Sequence, residues 1–221
     1  MPLVTFKDFC IDAVDAELLG TFWGGILDLG VEHLDDGDAR LSGPTPQHTV
    51  WINTVPEPKT VKQRVHLDVW LEDVADAKAL GATVTAELPS WTVLEDPEGG
   101  EFCVFTTDPA ARSPRHVELV VDTNGSAPDI AQWWGRAFDV PVLHDERGFS
   151  YVDDVPGCPF KSIAFVPVPE PKTVKNRIHI DVFGVVDDLV AAGAKVLAKL
   201  EHWTVMADPE GNEFCAFAPR D

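Results

Sequence analysis

Residues 55–69 read Val-Pro-Glu-Pro-Lys-Thr-Val-Lys-Gln-Arg-Val-His-Leu-Asp-Val, and residues 168–182 read Val-Pro-Glu-Pro-Lys-Thr-Val-Lys-Asn-Arg-Ile-His-Ile-Asp-Val. Gln63/Asn176, Val65/Ile178 and Leu67/Ile180 are the three differences. A second phrase, Trp-Thr-Val-x-x-Asp-Pro-Glu-Gly-x-Glu-Phe-Cys-x-Phe, is also written twice, at 91–105 and 203–217. The offsets are 168 − 55 = 113 and 203 − 91 = 112, so the chain is a tandem duplication. A period this long is a repeated domain and not a solenoid unit. The 221 residues therefore divide into two halves, each long enough to bury a core. The expected domains are residues 1–107 and 114–221, joined by a small, polar, Pro-bearing segment.

Thirty-seven acidic residues against 17 basic ones give a net charge of −20. Such a field repels phosphate backbones, which argues against nucleic acid as a partner. The N-terminal residues have neither a basic segment nor an apolar core, and no apolar run approaches membrane-spanning length. The expectation is a soluble, cytoplasmic protein with no membrane partner. Cys10, Cys103, Cys158 and Cys215 form no CxxC pair, and Cys103 and Cys215 are equivalent in the two halves, which suits reduced, strand-borne thiols.

Each half reads as strand, helix and strands, twice over. In the first half the strands are expected at residues 4–11, 40–41, 49–55, 64–71, 82–86, 91–94 and 101–105. Helices are expected at 15–29, stopped by Gly30, and at 74–80, ended by Gly81. In the second half the strands are expected at 116–121, 150–152, 162–168, 177–183, 203–206 and 213–217, with helices at 130–138 and 187–192. Side chains alternate faces along a strand. Leu67, Val69 and Leu71 thus share one face, and His66, Asp68 and Trp70 the other. The second copy sets Ile178, Ile180 and Val182 against His179, Asp181 and Phe183. Glu101, Cys103 and Phe105 oppose Phe102 and Val104; Glu213, Cys215 and Phe217 oppose Phe214 and Ala216. His116 and Glu118 likewise oppose Val117 and Leu119, and their first-half equivalents are Phe6 and Asp8.

This βαβββ-βαβββ order, with Lys-x-Arg-x-His-x-Asp-Val and Asp-Pro-Glu-Gly-x-Glu-Phe-Cys in each half, resembles the vicinal oxygen chelate superfamily and its glyoxalase-like domain branch. The superfamily includes glyoxalase I, bleomycin-resistance proteins and type I extradiol dioxygenases. The resemblance covers essentially the whole chain. It implies an α+β fold of two tandem glyoxalase-like domains, four modules in all, whose mixed sheets curl into U-shaped troughs with the ligand inside. The polar strand faces would then line the troughs, making His66, Asp68, Trp70, Trp91, Cys103, His116, Glu118, His179, Asp181, Trp203 and Cys215 the candidate ligand-binding residues. Aromatic walls with a few placed polar groups suit a small-molecule pocket. Trp23 and Trp134, on helices, read instead as core.

Metal-dependent members of the superfamily take ligands from the first and last strands of their modules, and the dioxygenases hold Fe(II) with two His and one carboxylate. By resemblance, a second-half centre would use His116, His179 and Glu213, because Cys215 stands where the usual Glu does. The first half would offer Phe6, His66 and Cys103, short of a Zn site. The favoured reading is a metal-free protein, monomeric through its duplication, that holds a small apolar or aromatic molecule. The alternative is a lyase or extradiol-type dioxygenase using Zn, Fe or Mn in the second domain. A metal-free acid/base enzyme built on the His–Asp pairs is a third reading. Cys103 and Cys215 would be nucleophiles only beside an activating base, and a strand-buried thiol is usually inert. The basic islands Lys59, Lys62, Arg64 and Lys172, Lys175, Arg177 read as partners for nearby acids or braces for the linker, with an anionic ligand as the other reading.

Overall fold

The structure is a computed structural model that describes residues 1–106 and 118–219. Four modules follow one another. The first contains β1 (Val4–Ala13), α1 (Ala16–Leu27), β2 (Gly30–His33), β3 (Ala39–Ser42) and β4 (Val50–Thr54), with a short 3-10 turn at Pro46–His48. The second contains β5 (Val65–Leu71), α2 (Val74–Ala79), β6 (Thr83–Glu87), β7 (Thr92–Glu95) and β8 (Glu101–Thr106). The third contains β9 (Glu118–Thr123), α3 (Ala127–Phe138), β10 (Val142–His144), β11 (Ser150–Asp153) and β12 (Ser162–Pro167). The fourth contains β13 (Ile178–Gly184), α4 (Val186–Ala191), β14 (Lys195–Lys199), β15 (Trp203–Ala207) and β16 (Glu213–Phe217). The architecture is α+β, as the resemblance implies. The expected linker at 107–114 falls outside the described residues.

Within every module the first strand runs parallel to the last, and the remaining strands form an antiparallel meander. The modules then join through their first strands into two eight-stranded sheets. The first sheet has the order β14-β15-β16-β13-β1-β4-β3-β2, and the second β10-β11-β12-β9-β5-β8-β7-β6. Antiparallel β1 and β13 make the central seam of the first sheet, and antiparallel β5 and β9 that of the second. Each trough is thus built from one module of each half. The first strand of the chain, β1, pairs with the fourth module and not with the second.

Local chemistry sets the element ends. The Asp15 carboxylate accepts the Leu18 N–H and caps α1, and Ser126 caps α3 in the same way, an arrangement worth about 1 kcal/mol each. Asp28 and Asp139 end these helices in the left-handed conformation, so Asp28 and not Gly30 stops α1. The short helix α2 is capped by Asp73, and Gly81 after it takes φ +111. The alternating faces bury as read: Leu67, Val69, Leu71, Ile178 and Val182 enter the core, where α1 brings Phe22 and Trp23 and α3 brings Trp133 and Trp134.

The repeated Asp-Pro-Glu-Gly turn is a structural device. Asp96 Oδ1 accepts the N–H groups of Glu98 and Gly100, and Asp208 Oδ1 accepts those of Glu210 and Asn212. Gly99 (φ 81) and Gly211 (φ 88) supply the left-handed residue that the turn needs. Glu98 then reaches into the first module, where its carboxylate accepts the N–H groups of Val14 and Asp15. Glu210 makes the matching reach into the third module, accepting the Thr123 hydroxyl.

Candidate functional site

A β-bulge shapes the floor of the first trough. Phe6 pairs with Val182 and Asp8 with Asp181, which leaves Lys7 as an extra residue on β1. A bulge of this kind puts two consecutive side chains on one side of the sheet. Phe6 therefore drops into the core, edge-on to Phe160, while Lys7 and Asp8 both turn to the trough. The sequence reading placed Phe6 on the polar face and took the position as lost; the bulge overturns that. The floor residues from β1 are Lys7, Asp8, Cys10 and Asp12; alternation alone relates the last three, and the bulge adds Lys7.

These groups form a dense, buried cluster. Lys7 Nζ lies 2.7 Å from Asp8 Oδ2 and 3.6 Å from Asp181 Oδ2, and sits 4.2 Å over the Phe217 ring. Trp51 Nε1 donates to Asp8 Oδ2 at 3.2 Å. Cys10 Sγ donates to Asp181 Oδ2 at 3.7 Å, and Cys215 Sγ lies 3.5 Å from His179 Nε2. His179 Nε2 is 3.6 Å from Asp181 Oδ1. Burial, and then the charge of Asp8, hold the Asp181 carboxyl above the usual carboxylate range. Burial lowers His179 toward its neutral form, and burial with Asp181 keeps the Cys10 and Cys215 thiols protonated.

The second trough repeats the plan with different residues. His66 Nε2 lies 3.6 Å from Asp68 Oδ1, and the Cys103 thiol bonds to Asp68. Glu118 pairs across the seam with Asp68 and accepts the Ser162 hydroxyl. Burial, reinforced by Glu118, pushes Asp68 up to about 7, and burial brings His66 down to about 4. The register shows where the troughs diverge. Cys10 faces His179 across one seam and Val120 faces His66 across the other. Trp51 stands beside Cys10, and Ala164 beside Val120. The second trough is thus the more apolar at its centre and has the smaller side chain there.

Aromatic pairs line the last strands of both troughs. Trp91 stacks on Phe105 with centroids 6.0 Å apart, and Trp203 on Phe217 at 5.7 Å. Trp70 and Phe183 are equivalent, half-buried and next in line along β5 and β13. Glu101 and Glu213 are drawn away to Lys59 and Lys172, each at 2.7 Å, and each also accepts a backbone N–H, from Gln63 and Asn176. The other basic islands likewise meet acids: Lys62 with Asp122 at 2.5 Å and Lys175 with Asp12 at 2.6 Å.

The residues read from the sequence thus separate into two clusters. His66, Asp68, Cys103 and Glu118 meet in the second trough; His179, Asp181 and Cys215 meet in the first. His116 lies outside the described residues, and β9, the strand that follows it, belongs to the second sheet. Of the other two residues of the set His116, His179 and Glu213, His179 lies on β13 in the first sheet and Glu213 is committed to Lys172. Among the described residues two other groups have metal-ligand geometry, Cys10/His179/Asp181 and His66/Asp68/Cys103, with donor atoms all within 4.8 Å of one another in each. A catalytic Zn needs three such ligands and an open position. The first group fits poorly, because Lys7 already supplies a positive charge to its carboxylate. The second group satisfies the ligand count.

The glyoxalase-like domain model matches residues 8–105 and again 118–217. Glyoxalase I from Zea mays superposes with a TM-score of 0.66 at 11% identity, covering 97% of this chain and 92% of that one. A putative dioxygenase from Bacillus subtilis subsp. subtilis str. 168 gives 0.61 at 10% identity, covering 98% and 86%. The cppA protein from Streptococcus pneumoniae TIGR4 gives 0.55 at 11%, covering 98% and 100%. At such identities the likeness is one of fold. No curated protein matches the chain in sequence. Among the described residues no helix is long and apolar enough to cross a membrane.

Proposed function

This chain belongs to the glyoxalase-like domain family, and we propose that it binds a small, largely apolar or aromatic molecule in its troughs without the help of a metal. The observation that carries this reading is Lys7. Its ammonium stands 2.7 Å from Asp8 and 3.6 Å from Asp181, so the carboxylates of the first trough already hold a cation of their own. A divalent ion placed there would have to displace it. The aromatic pairs Trp91/Phe105 and Trp203/Phe217 supply flat apolar walls, while the buried His and Asp groups supply a few fixed polar contacts.

Metal-dependent chemistry keeps one foothold, the set His66, Asp68 and Cys103 of the second trough. An ion held there would act as a Lewis acid on a bound oxygen. Its binding must first remove protons from a thiol raised by burial and from Asp68, which titrates near 7.

Elemental analysis of protein purified without chelator, combined with tryptophan emission during titration with neutral aromatic compounds, tests the proposal. We expect well under one equivalent of Zn, Fe or Mn per chain, and emission changes that are lost in the Trp91→Ala/Trp203→Ala protein. One tightly held metal ion per chain would sink the metal-free reading, and its loss in His66→Ala would assign it to His66, Asp68 and Cys103.

A further inference from the structure

The two copies of Val-Pro-Glu-Pro-Lys-Thr-Val-Lys are crossovers between the sheets. Residues 55–64 lead from β4 in the first sheet to β5 in the second, and residues 168–177 lead from β12 in the second back to β13 in the first. The crossovers hold each other. Arg64 donates to the Glu170 carbonyl at 2.7 Å and Arg177 to the Glu57 carbonyl at 2.6 Å. Between them lies a cavity of about 800 Å³, lined almost wholly by these two segments. Of the trough floors, Asp12 and Asp122 alone reach it.

We propose that this cavity is a ligand site separate from both troughs and that it takes an organic anion with an apolar body. The volume suits a molecule of ordinary cofactor or drug size. Its apolar wall includes Pro58, Val61, Pro171 and Val174, and both valines are strongly exposed, at 42% and 44%. Exposed valines facing one another across a cavity are what a buried apolar ligand would cover. The polar wall is mixed: the carboxylates Glu57 and Glu170 are exposed on it beside the lysines, and the cationic donors with room for a ligand are Lys62 and Lys175. Lys62 and Lys175 are anchored by the buried carboxylates Asp122 and Asp12, yet 63% and 58% of their side chains stay exposed. An ammonium has three N–H donors, so each can keep its carboxylate and still meet a ligand. The wall bears five basic and four acidic side chains, a small local excess of positive charge in a chain of net charge −20, so an anion is repelled less here than the net charge alone implies.

This inference does not rest on the trough reading, and its test keeps the two apart. The probe is 8-anilinonaphthalene-1-sulfonate, an anion with an aromatic body, followed by its fluorescence. The expected result is saturable binding that weakens at least tenfold in Lys62→Met/Lys175→Met and is unchanged in Trp91→Ala/Trp203→Ala. Naphthalene-1-sulfonate should displace the probe at least tenfold better than uncharged naphthalene does. Should the lysine variant fail to fold, Thr60→Trp narrows the cavity without touching an ion pair and should weaken binding at least tenfold. Equal affinity in the Lys62→Met/Lys175→Met protein, undiminished binding to Thr60→Trp, or loss of binding in Trp91→Ala/Trp203→Ala would overturn the proposal.

Discussion

Cys10 stands opposite His179 in the antiparallel seam of β1 and β13, although the two residues lie in different halves of the chain. The same place opposite His66 is held by Val120. The duplication thus yields two floors of one plan, and each floor needs both halves.

Separating the halves should therefore destroy both troughs. Without β13, β1 loses its seam, and without β9 so does β5, leaving long unpaired edges next to the core. Neither residues 1–106 nor residues 118–221 should behave as a folded monomer by size-exclusion chromatography and circular dichroism, and mixing the two should restore a one-to-one complex. A monomeric first half with native-like spectra would contradict the seam as described.

That partnership was not legible in the sequence. The strands β5 and β13 are near-copies, so β1 meets the same alternation of apolar and polar residues whichever of them it pairs with. Three edge strands also escaped notice. Residues 30–33 and 195–199 are exposed along their whole length, and β10 nearly so, and a strand with no buried face shows no period of two. The central strands and the longer helices, which do bury one face, were read close to their observed limits. Among the site residues, alternation found His66, Asp68, Cys103, Glu118, His179, Asp181 and Cys215 and put Asp8 on the polar face, and the bulge hid Lys7.

The lysine on the first floor can be tested by removing it. Lys7→Ala takes away the ammonium between Asp8 and Asp181 and leaves Cys10, His179 and Asp181 around the freed space. The variant should take up Co(II) with a thiolate charge-transfer band in the near ultraviolet, whereas the first trough of the wild-type protein should not. Competition by Zn(II), which favours the same thiolate and imidazole donors, should erase the band. Co(II) bands of equal strength in the two proteins, retained in a Cys103→Ala background, would show that Lys7 does not exclude metal.

Glu98 links a turn of the second module to the start of α1, accepting Val14 N at 2.9 Å and Asp15 N at 2.7 Å while receiving Arg177 Nη2 at 2.7 Å. Hydrogen bonds to a buried charge contribute more than neutral ones. Glu98→Ala should cost about 2–3 kcal/mol of unfolding free energy in a urea titration. Glu95→Ala, whose carboxylate is 3.9 Å from Lys59 and more exposed, should cost less than about 1 kcal/mol. Equal costs would mean that the capping contacts of Glu98 contribute nothing special.

The second trough should leave a signature in the pH dependence of stability. Asp68 titrates near 7 in the folded chain, because burial and Glu118 disfavour its charge, and near 4 when unfolded. A raised folded value means that the unfolded state gives up its proton first as pH rises. The contribution of Asp68 is therefore fully present below about pH 4 and is lost progressively until the folded group itself ionises near pH 7. His66 works in the opposite sense. Lowered to about 4 by burial, it contributes stability above the unfolded histidine range near 6.5 that is lost as pH falls toward 4. Asp68→Asn cannot ionise, so its melting temperature should gain on the wild type by several degrees between pH 4.5 and 7.5, at about 2–4 °C per kcal/mol for a chain of this size. His66→Gln should gain on the wild type in the other direction, as pH is lowered from 7 to 4.5. Parallel melting curves for Asp68→Asn and wild type across that range would mean that Asp68 is ionised in the folded trough and that the floor around His66 carries a negative charge.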